Sequence, residues 1–229
     1  MTLYRTLPLL LAAAVLAAAP PAKAPGKTAP RRTAPLRKPA AARKPVAPVH
    51  APETYRVTLD TSKGPVAIDV TREWSPLGAD RFYALVKSGY YDGARFFRIV
   101  PGFVVQIGLA GDPALSKKWS TRPLLDEPVK QSNTRGYVSF AMSGKNSRTA
   151  QIFVNLGDNA RLDAMGFAPF GLVSSGMENI DLLNSEYGES PEQPKIEEEG
   201  NPYLEKEFPN LDFIRHAAVE KLEPPVQKP

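Results

Sequence analysis

Arg98, Phe103 and Gln106 bring a cation, an aromatic plate and an amide into one short stretch of chain. They sit in Phe96-Phe97-Arg98-Ile99-Val100-Pro101-Gly102-Phe103-Val104-Val105-Gln106, which reads as two apolar strand pieces broken by Pro-Gly. If the two pieces pair, these side chains share one wall. Such a wall suits a substrate that is apolar and neutral but carries an amide. It offers no nucleophile, no general base and no metal ligand.

The composition removes most other chemistry. The chain has 229 residues and no cysteine, so disulfides, thiol catalysis and cysteine metal sites are excluded. Its two histidines, His50 and His216, lie outside the stretch above, which argues against a Ser-His-Asp triad or a multi-histidine metal site. A hydrophobic content of 42% is enough for a core. The length leaves room for one domain with tails or for two small ones. The formal net charge of +5 conceals two regions. Residues 1–50 hold nine of the 29 basic residues and no acid, leaving 20 bases against 24 acids, a net of −4, in residues 51–229.

The elements that must position the wall can be read in outline. Tyr55 to Asp60 and Val66 to Val70 alternate in polarity around a Thr-Ser-Lys-Gly turn, as a hairpin does. Ser75-Pro76 predicts a helix start with Ser at the N-cap and Pro at the first turn; Phe82, Leu85 and Val86 share a face, and Gly89 marks the end. Strands are expected near 95–100, 103–108, 136–141, 151–155 and 168–174, and a second helix at about 176–184. Many short strands with Gly and Pro turns and two helices predict a mainly β fold, an antiparallel barrel or sandwich.

At this point the sequence resembles a known family. Phe-x-Arg-Ile-x-Pro-Gly-Phe-x-x-Gln looks like the signature of cyclophilins, the peptidyl-prolyl cis-trans isomerases. Gly136 to Met142, Gln151-Ile152-Phe153-Val154, Leu162-Asp163 and Phe170-Gly171-Leu172-Val173 follow in the family's order. The resemblance covers residues 54 to 187 and implies a closed eight-stranded antiparallel cyclophilin-like barrel with two capping helices. It implies rotation about X-Pro bonds as the activity, with no cofactor and no metal. An alternative from another class is a low-activity proline-peptide-binding chaperone module.

The resemblance also implies roles. An X-Pro amide rotates slowly because resonance must be broken, at a barrier of ~18–20 kcal/mol. An enzyme need only bind the twisted amide better than either planar form. In the twisted state the prolyl nitrogen gains a lone pair, to which a fixed guanidinium can donate. Arg98 matches the family's catalytic arginine, and arginine stays charged at any working pH. Gln106 matches the residue that bonds substrate backbone and steadies that arginine. Phe103, Phe153 and Leu162 match the floor that receives the proline ring. Val104 stands where methionine is usual. Gln151 fits a second polar contact, Ala141 the small residue beside the neighbouring subsite, and Met142 a position whose backbone binds substrate. Phe167 falls where other members carry His or an aromatic, and can act by shape alone. Arg161 replaces a rim tryptophan that in the family meets cyclosporin-type macrocycles, which predicts weak inhibition by them.

The ends carry separate expectations. Residues 1–24 read as a secretory signal: Arg5 starts it, the apolar run Leu7 to Ala19 is about 13 residues against the ~20 that span a bilayer, and Ala22-Lys23-Ala24 and Ala17-Ala18-Ala19 are cleavage candidates. This predicts a periplasmic or secreted protein. Residues 25–53, rich in Pro, Ala, Lys and Arg, read as an extended linker that could touch an anionic envelope surface; they lack the interleaved aromatics expected of nucleic-acid binding. Residues 188–229 form an acidic, loop-like C-terminal extension, packed in part on the barrel through Tyr203, Leu204, Phe208, Leu211, Phe213 and Ile214. The expected partners are proline-containing polypeptides, and the expected state is a monomer.

Overall fold

The computed structural model of the protein describes residues 50–220. The signal expected at 1–24 and residues 25–49 of the linker lie outside the described residues. The first described residues already belong to the fold: Ala51 is buried and its N–H donates to Asp80 Oδ1 at 2.9 Å.

Eight antiparallel strands form one curled sheet. In chain order they are β1 (Thr54–Thr61), β2 (Gly64–Thr71), β3 (Arg98–Val100), β4 (Val104–Ile107), β5 (Tyr137–Phe140), β6 (Ile152–Asn155), β7 (Pro169–Ser175) and β8 (Ile214–Glu220). Their spatial order is β3-β4-β6-β5-β7-β2-β1-β8. The expected closed barrel is therefore an open half-barrel with β3 and β8 as its edges. An isolated bridge between Arg95 and Phe213, backed by Phe96 N–H to Asp212 O and Ile214 N–H to Ala94 O at 2.9 Å each and by Gly93 N–H to Ile214 O at 2.8 Å, links the segments that lead into the two edges. Seven strands follow the expected segments. The eighth comes from the C-terminal extension, where Leu211 to Ile214 leads into a strand paired with β1, not merely packed on the flank.

Polarity patterning explains the sheet. Tyr55, Val57, Leu59 and Thr61 of β1 are buried while the residues between them are more exposed, the period of two that a half-buried strand requires. Their apolar face packs with α1 (Pro76–Lys87) around Phe170, whose ring centroid lies 5.0 Å from that of Phe82 and 5.1 Å from that of Phe140. Burial of each such ring contributes about 1.5–3 kcal/mol.

The start of α1 departs from expectation. Ser75 is at the N-cap, but its hydroxyl caps no helix N–H. It donates instead to Glu127, whose carboxylate accepts the N–H of Leu77 at 2.6 Å and of Gly78 at 3.1 Å. A distant acid thus does the capping, favoured by the positive end of the helix.

The two expected helices are five among the described residues. The second expected helix is one short piece, α3 (Met177–Asp181). Beyond it, α2 (Pro113–Ser120) begins at Asp112, whose Oδ1 accepts the Ala114 N–H at 2.9 Å. The acidic extension folds as α4 (Gln193–Glu199) and α5 (Asn201–Glu207). Ile196, Tyr203, Leu204 and Leu211 of that extension form a second buried cluster with Phe97 and Leu109.

Candidate active site

The same period of two that builds the core builds the site. On β4, Val105 and Ile107 belong to the main core, while Val104 and Gln106 face the other way. On β6, Ile152 and Val154 are core residues and Phe153 faces the site. Register then aligns the site face: Arg98 pairs with Gln106, and Gln106 with Phe153.

One cavity of about 540 Å³ is lined by all ten residues singled out from the sequence: Arg98, Phe103, Val104, Gln106, Ala141, Met142, Gln151, Phe153, Leu162 and Phe167. Arg98 opens β3, and Phe103 ends the Pro101-Gly102-Phe103 turn, which Gly102 allows by adopting φ 73°. Ala141 and Met142 follow β5, Gln151 precedes β6, Leu162 closes a 3-10 turn (Ala160–Leu162), and Phe167 lies just before β7. Val104, Phe153 and Leu162 form a buried floor, with Phe103, Ala141 and Phe167 packed against it. Val104, which stands where methionine is usual, thus belongs to the floor. Phe167 meets Phe153 edge to face, centroids 5.6 Å apart.

The polar side of the cavity is a chain of directed hydrogen bonds. Arg98 Nη1 donates to Gln106 Oε1 at 3.1 Å, and Gln106 Nε2 donates to Gln151 Oε1 at 2.7 Å. Each amide spends its acceptor on the neighbour before it. The chain therefore presents N–H donors to the cavity, the polarity that a peptide carbonyl or a prolyl nitrogen needs. Neither histidine lines the cavity; His50 contacts Asp80 and His216 contacts Asp92.

Several supporting contacts were not read from the sequence. Asp163 accepts from Ser132 Oγ at 2.5 Å and from the N–H and Nδ2 of Asn133 at 2.9 and 2.8 Å. Asn133 Nδ2 also donates to Phe167 O at 2.8 Å, which fixes the backbone behind that ring. Asn159 Nδ2 donates to Phe103 O and to Asn155 Oδ1, both at 2.8 Å. Partial burial pushes the Asp163 carboxyl up, but the bonds from Ser132 and Asn133 outweigh it and hold the group below its ordinary value of 3.8. The one usable signal was composition, since buried Asn and Asp must find partners.

The rim holds two further residues of note. The Arg161 guanidinium stands 4.7 Å from the centroid of the Phe103 ring, a cation–π contact. Glu189, from the loop after the barrel, accepts from Arg98 Nε at 2.6 Å. Gln193 and Glu197 of the same extension also line the cavity. An acidic loop carries no local mark of which distant side chain it will meet.

This fold and site define a class of enzyme. The sequence model of the cyclophilin type peptidyl-prolyl cis-trans isomerase/CLD family matches residues 56–200, and the chain belongs to that family. The chain is similar to peptidyl-prolyl cis-trans isomerase A of Dickeya dadantii (strain 3937), 37% identical over 145 residues, which cover 58% of this chain and 73% of that protein. A peptidyl-prolyl cis-trans isomerase of Acinetobacter baylyi is 32% identical over 156 residues, 64% of this chain and 82% of that one. A crystal structure of a Cryptosporidium parvum cyclophilin type isomerase superposes with a TM-score of 0.57 at 21% identity, covering 74% of this chain and 99% of that one. A second structure of that parasite protein, similar at a TM-score of 0.55, was obtained in the presence of the dipeptide Ala-Pro. The activity of the family, cis-trans isomerisation of peptidyl-prolyl bonds, is the activity of this chain.

Proposed function

We propose that Arg98 is the catalytic group and that it acts on X-Pro bonds of exported polypeptides. The observation that carries this reading is the meeting, in one cavity, of the Arg98–Gln106–Gln151 donor chain with the Phe103, Phe153 and Leu162 floor. A proline ring seated on the floor brings its nitrogen toward the guanidinium. As the amide twists, that nitrogen loses resonance and becomes an acceptor. Arg98 then donates to a lone pair that the planar forms lack, so the twisted state gains most. Gln106 and Gln151 donate to flanking carbonyls, and Ala141 leaves room for the residue before proline.

Export rests on residues 1–24, read as a signal, and the linker from residue 25 up to the folded residues at 50 is read as a spacer that can also touch an anionic envelope surface. Fractionation with N-terminal sequencing tests export: a mature end after Ala19 or Ala24 outside the cytoplasmic membrane supports it, and an intact chain in the cytosol contradicts it.

The chaperone-module reading draws on Arg161, which covers part of the Phe103 ring. Titrating an unfolded client against wild type and Arg98→Ala separates the readings. Catalysed refolding by wild type alone supports the enzyme. Equal client protection by both proteins, without isomerisation, supports the module.

A further inference from the structure

β3 is an edge strand, so one side of it has no sheet partner. The C-terminal extension uses that edge. The N–H of Ile99 donates to Gly188 O at 3.1 Å, which lays the loop after α3 alongside β3. The loop is fixed by its own contacts as well: Gly188 N–H to Ser185 O at 3.1 Å, Ser190 N–H to Tyr187 O at 2.9 Å, and the Tyr187 ring packed edge to face on Phe208 at 5.2 Å. Its position brings the carboxylate of Glu189 to Arg98. Glu189 Oε1 accepts from Nε at 2.6 Å, and Nη2 lies 2.5 Å from the same oxygen.

We propose that Glu189 is a positioning residue for Arg98, supplied from outside the barrel by the C-terminal extension. This rests on the reading of Arg98 as the catalytic group. A guanidinium on a flexible stem has many rotamers, and a single bond from Nη1 to Gln106 leaves it free to swing about that contact. Glu189 grips the opposite side, at Nε, so two fixed acceptors define the plane of the group. Both amino nitrogens keep N–H bonds for a ligand. The pair does little for the fold: the Arg98 side chain is 26% exposed and that of Glu189 61%, and exposed ion pairs contribute little to stability. The loop stays in place through backbone bonds that do not involve the carboxylate. What the carboxylate adds is orientation, which matters where donor geometry at a developing charge sets the rate.

Steady-state kinetics on an X-Pro peptide test this with the full chain, using Glu189→Ala and Glu189→Gln, each alone and combined with Arg98→Ala. Glu189→Ala is expected to lower kcat about three- to tenfold with KM within about twofold, since an orienting contact acts in the transition state. Glu189→Gln is expected to recover most of the loss, because its amide oxygen still accepts from Nε. In the Arg98→Ala background Glu189→Ala should change nothing further, as residues acting through one another are not additive. The melting temperature of each Glu189 variant should stay within about 2 °C of wild type. A kcat for Glu189→Ala equal to or above wild type overturns the proposal, as does an effect that persists without Arg98. Arg98→Ala as fast as wild type would remove the catalytic reading itself, and the proposal with it. A wild-type rate that depends on Arg98 but not on Glu189 removes the proposal alone.

Discussion

Arg98 and Gln106 face each other across the β3–β4 ladder, and the guanidinium donates to the amide oxygen at 3.1 Å. Strand register, not loop conformation, brings these two side chains together. Gln106 also donates to Gln151 at 2.7 Å, which makes it the hub of the polar wall. Gln106→Ala should lower kcat/KM by about tenfold or more, equivalent to ~1.4 kcal/mol, from the loss of one orienting bond and one substrate contact. A peptide assay over a range of substrate concentrations checks this; a wild-type kcat/KM would count against the hub.

Phe167 meets Phe153 edge to face and closes one side of the floor. Its ring has no hydrogen-bonding atom, so its contribution is shape. Phe167→Ala should raise KM about three- to tenfold with little change in kcat, from the loss of an aromatic contact of about 0.5–1.5 kcal/mol. Phe167→Leu should recover part of that loss. A fall in kcat with KM unchanged would instead place Phe167 in the transition state.

Asp163 ties Ser132 and Asn133 beneath the site. Its carboxyl titrates below the ordinary 3.8 in the folded protein. A depressed folded value means that the stabilisation is present above the unfolded value and is lost as pH falls through the folded one. Asp163→Asn should therefore destabilise by about 1–2 kcal/mol at neutral pH. The gap between the two melting temperatures should close as pH falls below 3.8. Parallel melts at neutral pH and near pH 3 read this; a gap that is constant with pH would show that charge on Asp163 is not the source.

Arg161 lies over Phe103 at 4.7 Å, at the rim position that the family resemblance assigns to cyclosporin-type macrocycles. Covering that charge with an apolar ligand costs free energy unless the side chain swings to water. Inhibition of the wild type should be weak, and Arg161→Trp should gain affinity by ~1–3 kcal/mol through a restored aromatic contact. Titration of both proteins with the macrocycle decides, and tight inhibition of the wild type would refute the reading of this rim.

Most of the cavity residues were legible through the resemblance of their motifs to the family's; only Arg98, Phe103 and Gln106 could be grouped from local strand and turn pattern. Phe103 follows a Pro-Gly turn, and Arg98 and Gln106 follow from pairing across it. What the sequence did not reveal is long-range. Glu127 caps α1 from 50 residues away, and Glu189 reaches Arg98 across 91 residues; nothing near either acid marks its target. β8 was hidden because Arg215 and His216 are consecutive and both exposed, which breaks the alternation that marks a half-buried strand. The acidic run at 197–199 reads as solvated loop, yet Ile196 beside it is buried against the second cluster and anchors α4. The open seam between β3 and β8 is a property of ladder ends, which no local pattern encodes.

The central claim is that Arg98 favours the twisted prolyl amide. Its most direct measurement is kcat/KM for cis-trans isomerisation of an X-Pro peptide by wild type and by Arg98→Ala, each shown to be folded by its thermal melt. The account predicts a loss of ~10²-fold or more, the scale of other fixed electrostatic donors. A folded Arg98→Ala protein that isomerises the peptide as fast as wild type would contradict it.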